Sequence, residues 1–128
     1  MKSKFLTALL ISLFCSAPLA ADMYIVSTTD GPGFTDPSEA VMVLEKGILP
    51  TFAMLMELKK QKKIKYVGFP AGSRTLIMLV EADSHSEVDR MLRDLPAWGV
   101  FTWKVKPMQS LEDRDAMEKA IVKKLKNM

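Results

Sequence analysis

The sequence predicts an α+β fold: one antiparallel sheet of four strands, two helices on a single face of it, and a further helix at the C-terminus. Three observations predict it. Residues 74–81 hold five consecutive apolar side chains, Leu76 to Val80, between charged ends and without Pro or Gly. A turn signal, Pro70-Ala71-Gly72-Ser73, precedes this run and a helix start, Ser84-His85-Ser86-Glu87, follows it, so the run reads as a short strand. Its neighbours then fall into the order β-α-β-β-α-β. Apolar residues make up 48% and charged residues 26%, a globular mixture, and 128 residues suffice for one domain.

The N-terminus stands apart from that globule. Lys2 and Lys4 make a positive start, residues 5–14 are apolar except for Thr7 and Ser12, and residues 16–21 supply small side chains for cleavage after Ala20 or Ala21. Residues 1–21 are therefore expected to be a secretory signal peptide, too short in its apolar part to span a bilayer. The mature chain is expected in the periplasm or outside the cell, with no stable membrane insertion. Phe14 is bulky where lipidation of Cys15 would want a small residue. Cleavage removes Lys2, Lys4 and Cys15, which leaves 16 basic against 15 acidic residues and a net charge of +1 in place of +3. A chain without cysteine has no disulfide, thiol nucleophile or thiolate ligand. Its balanced charge gives no reason to expect a nucleic-acid partner.

The mature domain is expected over residues 22–109, and a basic C-terminal helix over 110–128. Residues 23–27 are short, apolar and rich in β-formers, the first strand. Two Gly and a Pro in residues 31–33 make 28–35 a loop. Asp36-Pro37-Ser38-Glu39 then offers an N-cap, a proline at the first helical position and a glutamate at the third. The spacing of Val41, Leu44, Ile48, Phe52 and Leu55 predicts a helix over 37–60 with one apolar face. Met42, Leu49, Ala53 and Met56 widen that face, and Pro50 should kink or divide the helix. Five lysines in residues 59–65 close it as a solvated end opposing the helix dipole, with no interleaved aromatic as single-strand nucleic-acid binding prefers.

Residues 65–69 form the second strand, and the turn at 70–73 makes it a hairpin with the third. Along the third, Leu76, Met78 and Val80 share one face while Ile77 and Leu79 share the other. Ser84 with Glu87 caps a second helix, whose buried stripe is Val88, Met91, Leu92 and Leu95 before Pro96 ends it. Residues 98–108 are expected as the fourth strand, with Phe101, Trp103 and Val105 on one face. Ser110 caps the last helix, with a narrow stripe of Met117, Ile121 and Leu125 among lysines.

This order is the ferredoxin-like split pattern. Right-handed crossovers put both main helices on the same sheet face. The opposite face keeps apolar side chains that nothing in the same chain covers, so a twofold dimer with sheets face to face is expected.

Several stretches now carry a family resemblance. Leu44-Glu45, Ile48-Leu49-Pro50, residues 63–68, the Ala71-Gly72-Ser73-Arg74 turn, Glu81-Ala82-Asp83-Ser84, Leu95-Pro96-Ala97-Trp98, residues 103–108 and residues 110–114 occur in order. The chain resembles the muconolactone isomerase-like branch of the dimeric α+β barrel superfamily over roughly residues 23 to 114. No single motif is highly specific; the ordered set carries the likeness, with the Pro in the first helix and the Leu-Pro ending the second as its best markers. The resemblance implies dimers or higher assemblies, no metal or organic cofactor, and a pocket between helices and sheet. An export signal and a basic C-terminal helix set this chain apart from those isomerases.

Candidate chemistry is sparse. His85 is the lone histidine and sits just after a helix cap, where side chains face water. No His/Cys/Asp/Glu cluster has metal-ligand spacing, and most of the methionines fall in apolar stripes as core filling. There is no nucleophile elbow and no phosphate-binding glycine loop. Proton-transfer isomerisation needs a carboxylate or phenol near an apolar substrate and a cation for an acid group. Glu81 is the candidate base, Tyr24 or Tyr66 the candidate acid, and Arg74 or Lys104 the anchor, with Trp98 and Trp103 against the substrate. The plain alternative is that Glu81 and Arg74 are strand-end surface charges and the tryptophans are core. The loop at 28–35 and Pro50 are expected to border a pocket mouth. The expected function is isomerisation of a small acid or lactone by proton transfer. A non-catalytic small-molecule-binding or stress protein and a cofactor-independent monooxygenase are the alternatives.

Overall fold

The computed structural model describes residues 21–31 and 33–128. The expected signal peptide, apart from Ala21, and Cys15 with it lie outside the described residues. The elements are β1 (Asp22–Thr28), α1 (Pro37–Val43), a π turn (Leu44–Ile48), α2 (Leu49–Lys60), β2 (Ile64–Gly68), β3 (Ile77–Ala82), α3 (His85–Arg93), a 3-10 turn (Trp98–Val100), β4 (Trp103–Met108) and α4 (Leu111–Lys126). One four-stranded sheet has the order β2-β3-β1-β4, antiparallel throughout. This is the ferredoxin-like α+β fold that the element order predicts.

The sheet separates two faces by register. Tyr24 stands opposite Val80 and Pro107, and Val26 opposite Met78 and Val105. Directly paired residues share a face. On that face Tyr24, Val26, Met78 and Val80 join Leu55 from α2 and Val88 and Leu92 from α3 in one buried core. The other face carries Ile25 and Ile77, 37% and 38% exposed, with Leu79 and Met23 half-buried. Leu76, 6% exposed, belongs to the helix side. The alternation expected along residues 76–80 is therefore present, and Ile77 is the outward member of the pair.

Caps form where the sequence offers them. The Asp36 carboxylate accepts from the Ser38 backbone N–H at 2.9 Å. Ser84 Oγ accepts from Glu87 N at 3.1 Å, and Glu87 reaches back to the N–H of Asp83, one residue beyond the usual capping-box partner. Ser110 accepts from Asp113 N at 3.0 Å.

Three expectations need correction. The fourth strand begins at Trp103, because residues 98–100 turn, with Val100 N–H donating to Ala97 O at 3.1 Å. The third strand begins at Ile77, although Leu76 still exchanges two bonds with Thr28. The stripe through Val41 and Leu44 is exposed rather than buried, at 52% and 45%. Its cause lies in the division of the first helix. Pro50 has no N–H to give the carbonyl four residues before it. The helix widens just ahead of it, and Leu49 N–H donates to Leu44 O, five residues back. The inserted residue rotates α1 by about 100° relative to the stripe in α2.

Candidate ligand-binding site

The widened turn opens a cavity of about 240 Å³ between α2, the β1–α1 loop and the start of β4. Leu44 and Ile48 from the π turn and Phe52 from α2 make one wall. Phe101 and Trp103, packed edge to face with centroids 6.1 Å apart, make the opposite wall. Leu55 and Leu76 form the floor. Phe69, which meets Phe52 at 5.2 Å in another edge contact, closes one side, and Phe34 and Gly31 of the loop border the mouth. An ideal Cβ on Gly31 would lie 3.0 Å from the Phe101 ring, so that loop approaches the wall as closely as glycine permits. Of the loop at 28–35 and Pro50, both expected to border a pocket mouth, the loop contributes Gly31 and Phe34 to the lining, whereas Pro50 is not part of it.

The polar groups of the lining are few, and most are engaged elsewhere. Thr51 Oγ1 accepts the Ala97 backbone N–H at 2.9 Å, and Ala97 lies outside the cavity. Ser73 Oγ donates to Pro70 O at 3.0 Å and sits 2.7 Å from Thr75 Oγ1. Trp103 Nε1 donates to Trp98 O at 2.9 Å. Arg74 is the exception. Its backbone N–H donates to Asp30 at 3.1 Å, while its guanidinium, beside Gly33 at the loop, pairs with no carboxylate among the described residues.

The other candidates fall elsewhere. Trp98 is not in the lining; its ring lies under the Arg93 guanidinium, 4.8 Å from the ring centre. Lys104 stands opposite Ser27 on the outer sheet face. Glu81 is on that face too and pairs with Lys65, at the irregularity in β2. Tyr66 lies outward opposite Leu79, 60% exposed, folded over Gly68 where a Cβ would strike its hydroxyl. Tyr24 is buried on the helix side, its hydroxyl hydrogen-bonded to His85 Nδ1 at 2.8 Å. Burial, then the nearby Asp22 and Glu87 carboxylates, raise the pKa of that phenol. The imidazole is exposed, as expected, yet it has an orienting partner, which the sequence did not suggest.

The structure thus brings Arg74 and Trp103 together, and Glu81 with Tyr66 on the opposite face, but not the two pairs. Sequence reasoning missed Phe34, Phe52, Phe69 and Phe101. Their signal was aromatic residues beside turns and beside a helix-breaking proline, a pattern equally consistent with core. Among the described residues no group of three His, Cys, Asp or Glu is placed to hold a metal, and no helix is long and apolar enough to cross a membrane. The sequence model of the family described as muconolactone delta-isomerase matches residues 42–126, well over half of the chain. No curated protein matches it.

Proposed function

The chain belongs to the muconolactone delta-isomerase family, and from that premise we propose that it is an exported protein that takes a small acid or lactone with an apolar or aromatic body into the α–β cavity. The observation that carries this reading is a cation, Arg74, with no carboxylate partner among the described residues, at the edge of a cavity walled by aromatic and aliphatic side chains. Such a wall desolvates the ligand body, and a charge-assisted bidentate pair fixes its carboxylate. Titration with aromatic carboxylates, followed by calorimetry and tryptophan fluorescence, tests it. Saturable binding that Arg74→Gln weakens supports the reading; binding indifferent to that substitution sinks it.

Family membership favours a second reading, isomerisation without a cofactor. Shifting a ring double bond removes a proton beside a carbonyl and returns one at the far end of the delocalised anion. The described lining of the cavity has no carboxylate or imidazole for that transfer. Glu81, Tyr24 and Tyr66 stay the candidates, and each stands outside the cavity. Incorporation of solvent deuterium into a lactone acid, read by NMR, separates an isomerase from a binder. We also propose a homodimer through the outer face of the sheet, where Ile25, Ile77, Leu79 and Met108 lie beside Lys104 and Lys106. The generally oligomeric habit of the family supports it.

A further inference from the structure

We infer that Thr51 is the specificity-determining contact at the inner end of the cavity: its hydroxyl donates to a carbonyl oxygen on the ring of a ligand whose acid group meets Arg74. This inference deepens the reading of the cavity as the ligand site and rests on it.

A hydroxyl has one hydrogen to donate and two lone pairs to accept with. In Thr51 one lone pair takes the Ala97 N–H at 2.9 Å, the single hydrogen bond of this hydroxyl among the described residues. The oxygen is therefore satisfied and the hydrogen is not. A threonine inside a helix commonly gives that hydrogen to a carbonyl three or four residues back. Those carbonyls belong here to Ile48 and Gly47 of the π turn, and neither receives it. Thr51 and Ala97 are both buried, so the free hydrogen meets either protein or whatever fills the cavity. A buried donor without an acceptor is penalised, and an acceptor brought by a ligand relieves that penalty. The bond accepted from Ala97 also polarises the hydroxyl and strengthens it as a donor.

The position suits the role. Ile48, Thr51 and Leu55 follow at steps of three and four residues, so they share one side of the helix, and all three line the cavity. Arg74 lines it too, but is exposed at the loop. The site thus offers a charged donor outside and a neutral one inside. Other polar groups of the lining do not compete for the inner end. Trp103 gives its indole N–H to Trp98 O, and Ser73 is exposed beside Arg74, tied to Pro70 and Thr75. An acid with a carbonyl on its ring complements both donors, and a lactone and a cyclic ketone share that acceptor. A cavity of about 150 Å³ accepts benzene, so 240 Å³ has room for a five-membered ring, its carbonyl oxygen and a short arm to the mouth.

Two acids that differ only in the carbonyl test this: (3-oxocyclopentyl)acetate and cyclopentylacetate, titrated by calorimetry. The ratio of their affinities is read within each variant, so a loss common to both ligands cancels. Thr51→Val should shift that ratio about tenfold towards cyclopentylacetate, and Thr51→Ser, which keeps the hydroxyl, should hold it near the parent value. Arg74→Gln should weaken both acids and leave the ratio in place. A measurement on the unaltered protein stands beside the variants: the infrared ketone stretch of bound (3-oxocyclopentyl)acetate should lie below its value in hexane. A ratio that Thr51→Val leaves unchanged, or a hexane-like stretch in the parent, overturns the assignment to Thr51, while binding that responds to Arg74→Gln keeps the cavity as the ligand site. If neither acid binds at millimolar concentration, the assignment and the ligand-site reading fall together.

Discussion

The hydroxyl of Tyr24 is hydrogen-bonded to Nδ1 of His85 at 2.8 Å, with the two rings edge to face at 82°, and this contact ties β1, one of the two inner strands, to the first turn of α3. In the tautomer that leaves Nδ1 without a hydrogen, the phenol donates. Burial, with Asp22 and Glu87 adding their negative charge, raises the phenol pKa above its ordinary value. The unfolded chain therefore loses the Tyr24 proton first as pH rises. The stabilisation is fully present below about pH 10, the ordinary phenol range, and is lost as pH climbs from there through the folded value. Thermal unfolding followed from pH 8 to 11.5 should show a falling midpoint above pH 10, and Tyr24→Phe should flatten that part of the curve. An unchanged alkaline slope in the variant would remove Tyr24 from the account.

Adjacent positions in β3 should respond in opposite ways to the same substitution. Leu76 faces the helices and Ile77 faces outward. Leu76→Lys buries an unpaired charge and should cost roughly 3–5 kcal/mol, enough to unfold many domains of this size. Ile77→Lys should change the stability of a single copy by only about 0.5 kcal/mol, yet repel a second sheet laid against it. Light scattering should then report a folded monomer for Ile77→Lys where the parent is a dimer. A parent that is already monomeric at micromolar concentration would falsify the face-to-face dimer.

Thr51 holds the end of α3's following loop through a single bond from Ala97 N–H. Both residues are buried. Thr51→Val keeps the shape and orphans that N–H, at a cost of about 1–3 kcal/mol. Thr51→Ser retains the hydroxyl and should keep most of that loss from appearing. Chemical denaturation of the two variants side by side checks the order.

Export makes its own prediction. The protein recovered from an exporting bacterial host should begin at Ala21 or Asp22 by intact mass, and Leu10→Arg, which breaks the apolar stretch, should leave the full-length chain inside the cell. A full-length chain recovered from the medium would contradict a cleaved signal.

Much of the fold was legible because hydrophobic period and turn chemistry are local. The alternation along residues 76–80, the Ser84 and Ser110 caps and the hairpin at residues 70–73 each follow from neighbours in sequence. The start of β4 did not, because Trp98 and Val100 have strand-like side chains and the backbone bonds from Trp98 N–H to Leu95 O and from Val100 N–H to Ala97 O turn them aside. The site was half legible. Arg74 and Trp103 were singled out and do meet at the cavity. Glu81 and Tyr66 were grouped with them on chemistry alone, and a period of two puts them on the far side of the sheet. Tyr24, a candidate acid on its chemistry, is buried and outside the cavity, and the partner of its hydroxyl lies 61 positions away, a distance no pattern in the sequence bridges.

A π turn is an α-helix that has absorbed one supernumerary residue. Trimming Gly47, which has open space around it, would let the helix run through as an ordinary spiral with the same caps and the same sheet beneath. Leu44 would then stand three residues before Ile48 and seven before Phe52, spacings that an α-helix keeps on one face, and only the widening of the turn would go. A one-codon deletion would thus narrow the turn that walls the cavity without touching any strand, so in this scaffold the breadth of the chamber depends on the length of one helix as well as on the chemistry of its side chains.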